Sequence, residues 1–300
     1  MRLISFAGDG GTTIGLIEPE GGAVVDLRAA DSRLPWDMAT FIAHGAAARK
    51  AAREAAEQAG PEARWRLEDV TVLPPLPLPL PVRNIFCVGK NYRAHADEFS
   101  GAAGAASGVA GDLPEYPIFF SKASTAVIGP GDAIPAYLDY TESVDYEGEV
   151  AVVIGAGGRG IRAEAAWEHV YGLTIVNDVT SRTLQKRHGQ WLLGKSLDGF
   201  CPMGPMLVTT DEIPDPDAVK VTTHVNGEQR QSGRLVDLIF DIPTLIETLS
   251  RAMTLVPGDV IATGTPEGVG AGFTPPRYLR PGDRVEVHVS GVGTLRNPVE

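Results

Sequence analysis

Glu147 and Glu149 are separated by one glycine and followed by an apolar run at residues 150–154. Alternate side chains of a β-strand share a face, so the two carboxylates are expected side by side. Adjacent carboxylates repel each other. A hard divalent cation such as Mg²⁺ or Mn²⁺, which takes oxygen ligands, removes that conflict. An exposed strand face would carry the same pair without consequence, so the reading depends on what joins it. Asp178 follows a second apolar segment, residues 173–176, where the chain turns toward a helix from Ser181. It suits a third metal ligand or the N-cap of that helix. Lys195 stands in the apolar stretch 191–200. A buried lysine there needs a counter-charge, which a carboxylate cluster would supply; a surface lysine would simply extend into water.

His95 and Glu98 are one helical turn apart, so a carboxylate could fix the imidazole tautomer and raise its basicity, as a general base needs. The same spacing also describes an ordinary surface pair. The other five histidines have no comparable neighbours. Arg182 and Gln185 share a helical face, one offering a planar fork for a carboxylate and the other donors for a carbonyl oxygen. Residues 263–270, Thr-Gly-Thr-Pro-Glu-Gly-Val-Gly, form a glycine-rich turn after an apolar strand. No Gly-Lys-Ser/Thr follows, so it is not a phosphate loop. Close approach of backbone to a ligand, with the Thr265 hydroxyl as donor, is the better reading.

These residues need elements to hold them. Residues 1–28 alternate short apolar segments with glycine turns, the pattern of an antiparallel meander. The alanine-rich stretch 38–59 predicts one helix stopped by Gly60-Pro61. Residues 74–81, Pro-Pro-Leu-Pro-Leu-Pro-Leu-Pro, cannot form a helix or central strand and predict an extended connector. The domain boundary is therefore placed there, with a small domain at 1–73 and a catalytic domain at 74–300. Residues 100–112 are almost without bulky side chains, and 99–112 fit either a surface insertion or a lid. From residue 116 onward short strands dominate, with helices at 163–169, 181–188 and 241–253 and Pro-Gly-Asp turns at 130, 257 and 281 introducing strands. The helices are too few and too irregular for a doubly wound sheet, so the class is a β-rich α+β fold.

Bulk properties narrow the partners. Acidic residues outnumber basic ones, 38 to 26, which disfavours nucleic acid and anionic membranes and requires local cations for any anionic substrate. No apolar run is long enough to span a bilayer, and the N-terminus carries no signal-peptide core. The two cysteines, Cys87 and Cys201, are far apart in apolar contexts and read as buried thiols, which fits a cytoplasmic location.

Taken in order, the motifs resemble the fumarylacetoacetate hydrolase family. They are Gly89-x-Asn91-Tyr92-x-x-His95-x-x-Glu98, Phe120-x-Lys122, Asp145-Tyr146-Glu147-x-Glu149 and Asn177-Asp178-x-x-x-Arg182-x-x-Gln185, then Gly194-Lys195-Ser196-x-Asp198 and the turn at 263–270. The resemblance spans about residues 82–290 and is similar to the acylpyruvase-like subgroup. It implies a rolled mixed β-sheet catalytic domain, usually dimeric, behind a small N-terminal α+β domain. It implies Mg²⁺ or Mn²⁺ on Glu147, Glu149 and Asp178, with Lys195 beside the ion. Arg182 and Gln185 would contact substrate, and His95 and Glu98 would form a dyad on a lid. The implied reaction is hydrolysis of a C–C bond in a 2,4-dioxo acid, His95 activating water and the metal with Lys195 stabilising a pyruvate enolate. Decarboxylation of oxaloacetate, or hydration or isomerisation of an unsaturated 2-oxo acid, would use the same site.

Overall fold

The computed structural model describes residues 1–8, 11–19, 22–77, 83–98 and 113–300. The segment expected to form a lid or insertion, 99–112, and the end of the proline-rich connector, 78–82, lie outside the described residues. The N-terminal meander forms as the turn pattern predicts, with β1 (Arg2–Gly8), β2 (Gly11–Ile17) and β3 (Ala23–Asp26) pairing antiparallel in sequence order. Short α1 (Leu27–Ala30) follows, capped by the Asp26 carboxylate. The single helix expected at 38–59 is two, α2 (Met38–Ala43) and α3 (Gly45–Gln58). Gly45 takes φ +56°, a left-handed conformation that glycine adopts freely, and the axis breaks there. Strands β4 (Arg64–Arg66) and β5 (Thr71–Leu73) complete this part.

The remainder contains β6 (Ile85–Gly89), α4 (Arg93–Glu98), β7 (Ile118–Lys122), β8 (Val127–Ile128), β9 (Val144–Asp145) and β10 (Gly148–Ile154). Next come β11 (Val170–Asn177), β12 (Thr180–Ser181), α5 (Arg182–Arg187), α6 (Leu192–Lys195) and β13 (Cys201–Thr209). The chain closes with β14 (Lys220–Val225), β15 (Glu228–Arg234), α7 (Ile242–Ala252), β16 (Val260–Ala262), β17 (Arg284–Val289) and β18 (Gly293–Pro298). Asp241 caps α7 through the Thr244 amide and a proline sits in its first turn, as the sequence predicts. The turns at 257 and 281 introduce β16 and β17. The one at 130 leads only to a single bridge between Ile134 and Val299.

One mixed sheet organises the molecule, in the order β4-β3-β2-β1-β13-β11-β10-β16-β6-β7, with β5 on β1 and β8 on β13. The N-terminal meander is continuous with it, because β1 pairs antiparallel with β13 through Arg2↔Val208 and Leu3↔Leu207. Strands β10 and β11 lie in its middle and are buried along their whole length, so they read as apolar runs rather than alternations. A second sheet, β15-β14-β17-β18, packs across β10. Gly148 permits that approach, since a Cβ there would fall on the Thr223 hydroxyl and against Val287. The result is a buried support beneath Glu147 and Glu149.

Candidate active site and metal centre

Glu149 is the second residue of β10, while Glu147 lies just before the strand pairs. Two hydrogen bonds at the end of β11 hold the Glu147 backbone: its amide donates to the Asn177 side-chain Oδ1 at 3.0 Å, and its carbonyl accepts from the amide of Asp178, the next residue, at 2.8 Å. That clamp brings Asp178 beside the pair. Ser181, not Asp178, caps α5, accepting from the Leu184 amide, so Asp178 is released for the cluster. Ligand atoms of Glu147, Glu149 and Asp178 all lie within 4.8 Å of one another, and all three residues are buried.

Lysine and arginine knit the cluster together. Lys195 Nζ donates to Glu147 Oε2 and Asp178 Oδ2, each at 2.7 Å. Lys122, fully buried on β7, donates to Asp178 Oδ1 at 2.6 Å and to the Val179 carbonyl at 2.9 Å. Arg182 pairs through Nη1 with Glu147 Oε1 at 2.6 Å and through Nε with Asp145 Oδ2 at 2.8 Å. Its Nη1 also reaches Gln185 Oε1 at 3.3 Å, so these two expected substrate contacts meet each other at the cleft wall. The Thr265 hydroxyl donates to the Gly148 carbonyl at 3.1 Å and accepts from Gln231 Nε2 at 2.7 Å. Expected as a ligand donor, it also lines the cleft.

The glycine-rich turn does bring its backbone close, but to the site's own carboxylates. The Gly264 amide donates to Glu149 at 2.8 Å and the Gly268 amide to Glu98 at 3.1 Å. Asp145 Oδ1 accepts from the Gly270 amide at 2.6 Å, and Oδ2 from the Ala271 amide at 2.9 Å. Gly264 and Gly268 take φ of +106° and +96°, values that favour glycine. The His95–Glu98 pair forms as the helical spacing predicts, with Nδ1 3.1 Å from Oε2, and His95 opens onto the same cleft as Glu147, Glu149 and Lys195.

Electrostatics identify what the cluster is built for. Asp145, Glu147 and Asp178 pair with Lys122, Lys195 and Arg182, with His95 also acting on Glu147, whereas Glu149 has no ion pair among the described residues. Burial favours the neutral form of Glu147, but Lys195 and Arg182 outweigh it and hold that carboxyl below the usual range. Burial, reinforced by Asp178 and Glu147, pushes Glu149 the other way, well above its usual value. Burial opposes the Lys195 charge too, yet Asp178 and Glu147 raise its pKa. A cluster with one carboxylate too many suits a divalent cation. Each oxygen of Glu147 and Asp178 meets a cation, and because a carboxylate oxygen has two lone pairs this does not prevent it from also taking a metal. The donor set therefore fits a hard cation held by Glu147, Glu149 and Asp178.

Lys122, Asp145 and Gln231 are the parts that sequence reading left without a role. Lys122 and Asp145 stood in recognisable motifs, but their partners, Asp178 and Val179 for one and Arg182, Gly270 and Ala271 for the other, are distant in sequence. Both cysteines are free and buried; burial pushes Cys201 up to about 12, so neither is a reactive thiol. No helix among the described residues is long and apolar enough to cross a membrane.

The sequence model for the fumarylacetoacetate (FAA) hydrolase C-terminal domain matches residues 84–300. The chain belongs to this family. Among its relatives, the oxaloacetate tautomerase YisK of Bacillus subtilis is 53% identical over 223 residues, covering 74% of this chain and 71% of that protein. The fumarylacetoacetate hydrolase structure from Exiguobacterium antarcticum superposes with a TM-score of 0.81 at 42% identity, covering 100% of this chain and 99% of the other. A maleylpyruvate hydrolase from Sphingobium sp. SYK-6, solved with manganese(II) and pyruvate, gives a TM-score of 0.77 at 30% identity, covering 100% and 98%. The mixed, β-rich α+β fold is thus that of fumarylacetoacetate hydrolase-family enzymes.

Metal binding has a direct thermodynamic signature. A site left with surplus buried negative charge gains stability from any ligand that binds only the folded state. Mn²⁺ or Mg²⁺ at about 100 times its Kd should add about 2.7 kcal/mol, seen as a rise in Tm that EDTA reverses. An unchanged Tm across a Mn²⁺ titration to millimolar would remove the cluster as a metal site.

Proposed function

We propose that the chain moves a proton at C3 of a 2-oxo acid, interconverting keto and enol forms, with oxaloacetate as its substrate. The observation that carries this reading is a single cleft holding both a carboxylate-fixed imidazole, His95–Glu98, and the cation-ready cluster with its buried lysine. Its 53% identity to a named oxaloacetate tautomerase supports that choice over the hydrolysis that the motifs first suggested.

A divalent ion on Glu147, Glu149 and Asp178 would supply Lewis acidity toward the 2-oxo oxygen. The residues do the rest. In the neutral tautomer that donates Nδ1–H to Glu98, Nε2 is the ring nitrogen that can accept a proton. Nε2 takes a proton from C3, and negative charge develops on the 2-oxo oxygen. Lys195 has three N–H donors, two of which serve Glu147 and Asp178; the third remains to stabilise that oxygen. In the ketonising direction the imidazolium returns a proton to C3 while the enol oxygen releases its own to solvent. Glu98 is a positioning residue here, and His95 and Lys195 are the catalytic ones.

Hydrolysis of an acylpyruvate is the second reading, supported by the likeness to the manganese- and pyruvate-bound maleylpyruvate hydrolase. There His95 would deprotonate water instead of carbon. The two are separated by following the enol absorbance of oxaloacetate with Mg²⁺, alongside pyruvate release from oxaloacetate, acetylpyruvate and fumarylpyruvate. Rapid enol decay without pyruvate is the expected result. Pyruvate from either acylpyruvate, with no effect on the enol, would replace tautomerisation by hydrolysis; pyruvate from oxaloacetate alone would replace it by decarboxylation.

A further inference from the structure

Lys90 lines the cleft as a cation outside the ion pairs of the carboxylate cluster. It is buried, 9% exposed, and shares the cleft with His95, Glu147, Glu149 and Lys195. Among the described residues it has no hydrogen-bond acceptor and no ion-pair partner. Burial lowers its pKa, with no carboxylate acting to restore it. A lysine in this situation ordinarily acquires an acidic neighbour or extends into water.

Its backbone is unusual as well. Lys90 has φ +55°, the left-handed region that few non-glycine residues enter. Both of its neighbours are held tightly in place. Gly89 packs so tightly on Trp191 that a Cβ would strike the indole ring. Asn91 is pinned from its other side, its amide donating to the Phe240 and Thr263 carbonyls at 2.9 and 2.8 Å and its oxygen accepting from the Phe240 amide at 2.8 Å. Strain that surrounding packing holds in place, at a cleft, is a mark of functional placement.

Charge gives the placement its meaning. The four carboxylates and three cations of the cluster leave one surplus negative charge, which a divalent ion converts to one positive charge; Lys90 adds another. The ion side of the cleft suits the carboxylate beside the 2-oxo group, and Lys90 offers a separate cation to a second carboxylate. We propose that Lys90 receives the distal carboxylate of a 2-oxo dicarboxylic acid and so makes the site selective for diacids over monoacids. This rests on the 2-oxo acid reading of the site, though not on which reaction follows binding.

The test is equilibrium binding to the Mg²⁺-loaded protein by calorimetry, using 3,3-difluorooxaloacetate, a diacid that cannot enolise, and 2-oxobutanoate, a monoacid. Lys90→Met should weaken the diacid about 10- to 100-fold, the range expected for a lost charge-assisted hydrogen bond. The monoacid should be unchanged within about twofold, a margin well under the 1.4 kcal/mol of a tenfold change, and Lys90→Arg should recover most of the diacid affinity. Stoichiometric Mn²⁺ binding and an unshifted Tm show that the variants are folded. Equal losses for both acids, or an unchanged diacid affinity, would overturn the assignment. Because binding is read without turnover, a wild-type protein inactive on enol oxaloacetate strikes the proposed reaction, while a Lys90-dependent diacid affinity in that same protein still upholds this role.

Discussion

His95→Gln should lower the rate of enol–keto interconversion about 10²- to 10⁴-fold, the usual contribution of a positioned general base. Glutamine is of similar reach, stays neutral and cannot take a proton from carbon. The loss should fall on kcat, with KM for oxaloacetate changed little, because the 2-oxo acid is held by other groups. Mn²⁺ binding should survive, since His95 bonds to Glu98 and stands outside the carboxylate triad. Glu98→Gln should have a smaller effect in the same direction, with the pH profile of kcat displaced, because Glu98 acts only by fixing and polarising the ring. Turnover within threefold of wild type for His95→Gln would remove the imidazole from the chemistry.

Lys195→Met should produce the largest loss of stability among the site variants. Lys195 is 1% exposed and bridges Glu147 and Asp178 at 2.7 Å each. Removing one partner of a buried charge network leaves the others uncompensated, which costs about 3–5 kcal/mol. Methionine fills most of the lysine volume, so cavity formation adds little. Urea unfolding in EDTA measures the full deficit, and saturating Mn²⁺ should recover part of it by replacing the lost positive charge. Catalysis should fail even in the metal-loaded variant, because the donor to the developing oxyanion is gone. A stability unchanged in EDTA would mean that the cluster is not charged as its hydrogen bonds require.

The local rules explain why some of this site could be read from the chain and some could not. Strand alternation and helical spacing are short-range, so Glu147 with Glu149, His95 with Glu98 and Arg182 with Gln185 all announce themselves within a few residues. Asp178 was ambiguous between ligand and N-cap; the structure gives the cap to Ser181 and sets Asp178 beside Glu147 and Glu149. Lys122 is different: its partner Asp178 is 56 residues away, brought to it only by the packing of β7, β6, β16, β10 and β11 in one sheet. The roles of the turn amides at Gly264, Gly268 and Gly270 are hidden for the same reason, since glycine spacing signals close approach but not what is approached. In the fold, the meander followed from turn residues, while its junction through β1 and β13 depends on a pairing some two hundred residues apart. The break between α2 and α3 turned on a single glycine conformation, which alanine-rich composition obscured.

In the proposed reaction, His95 and the metal-loaded cluster together move the C3 proton of a 2-oxo acid. Proton NMR in D₂O reads that step directly, as loss of the C3 methylene signal of oxaloacetate relative to a protein-free blank of the same Mg²⁺ content. Wild-type protein with Mg²⁺ should exchange C3 protons well above the blank, and both the EDTA-treated protein and Mg²⁺-loaded His95→Gln should fall to the blank rate. Exchange that persists in either, or a wild type that matches the blank, would contradict the claim.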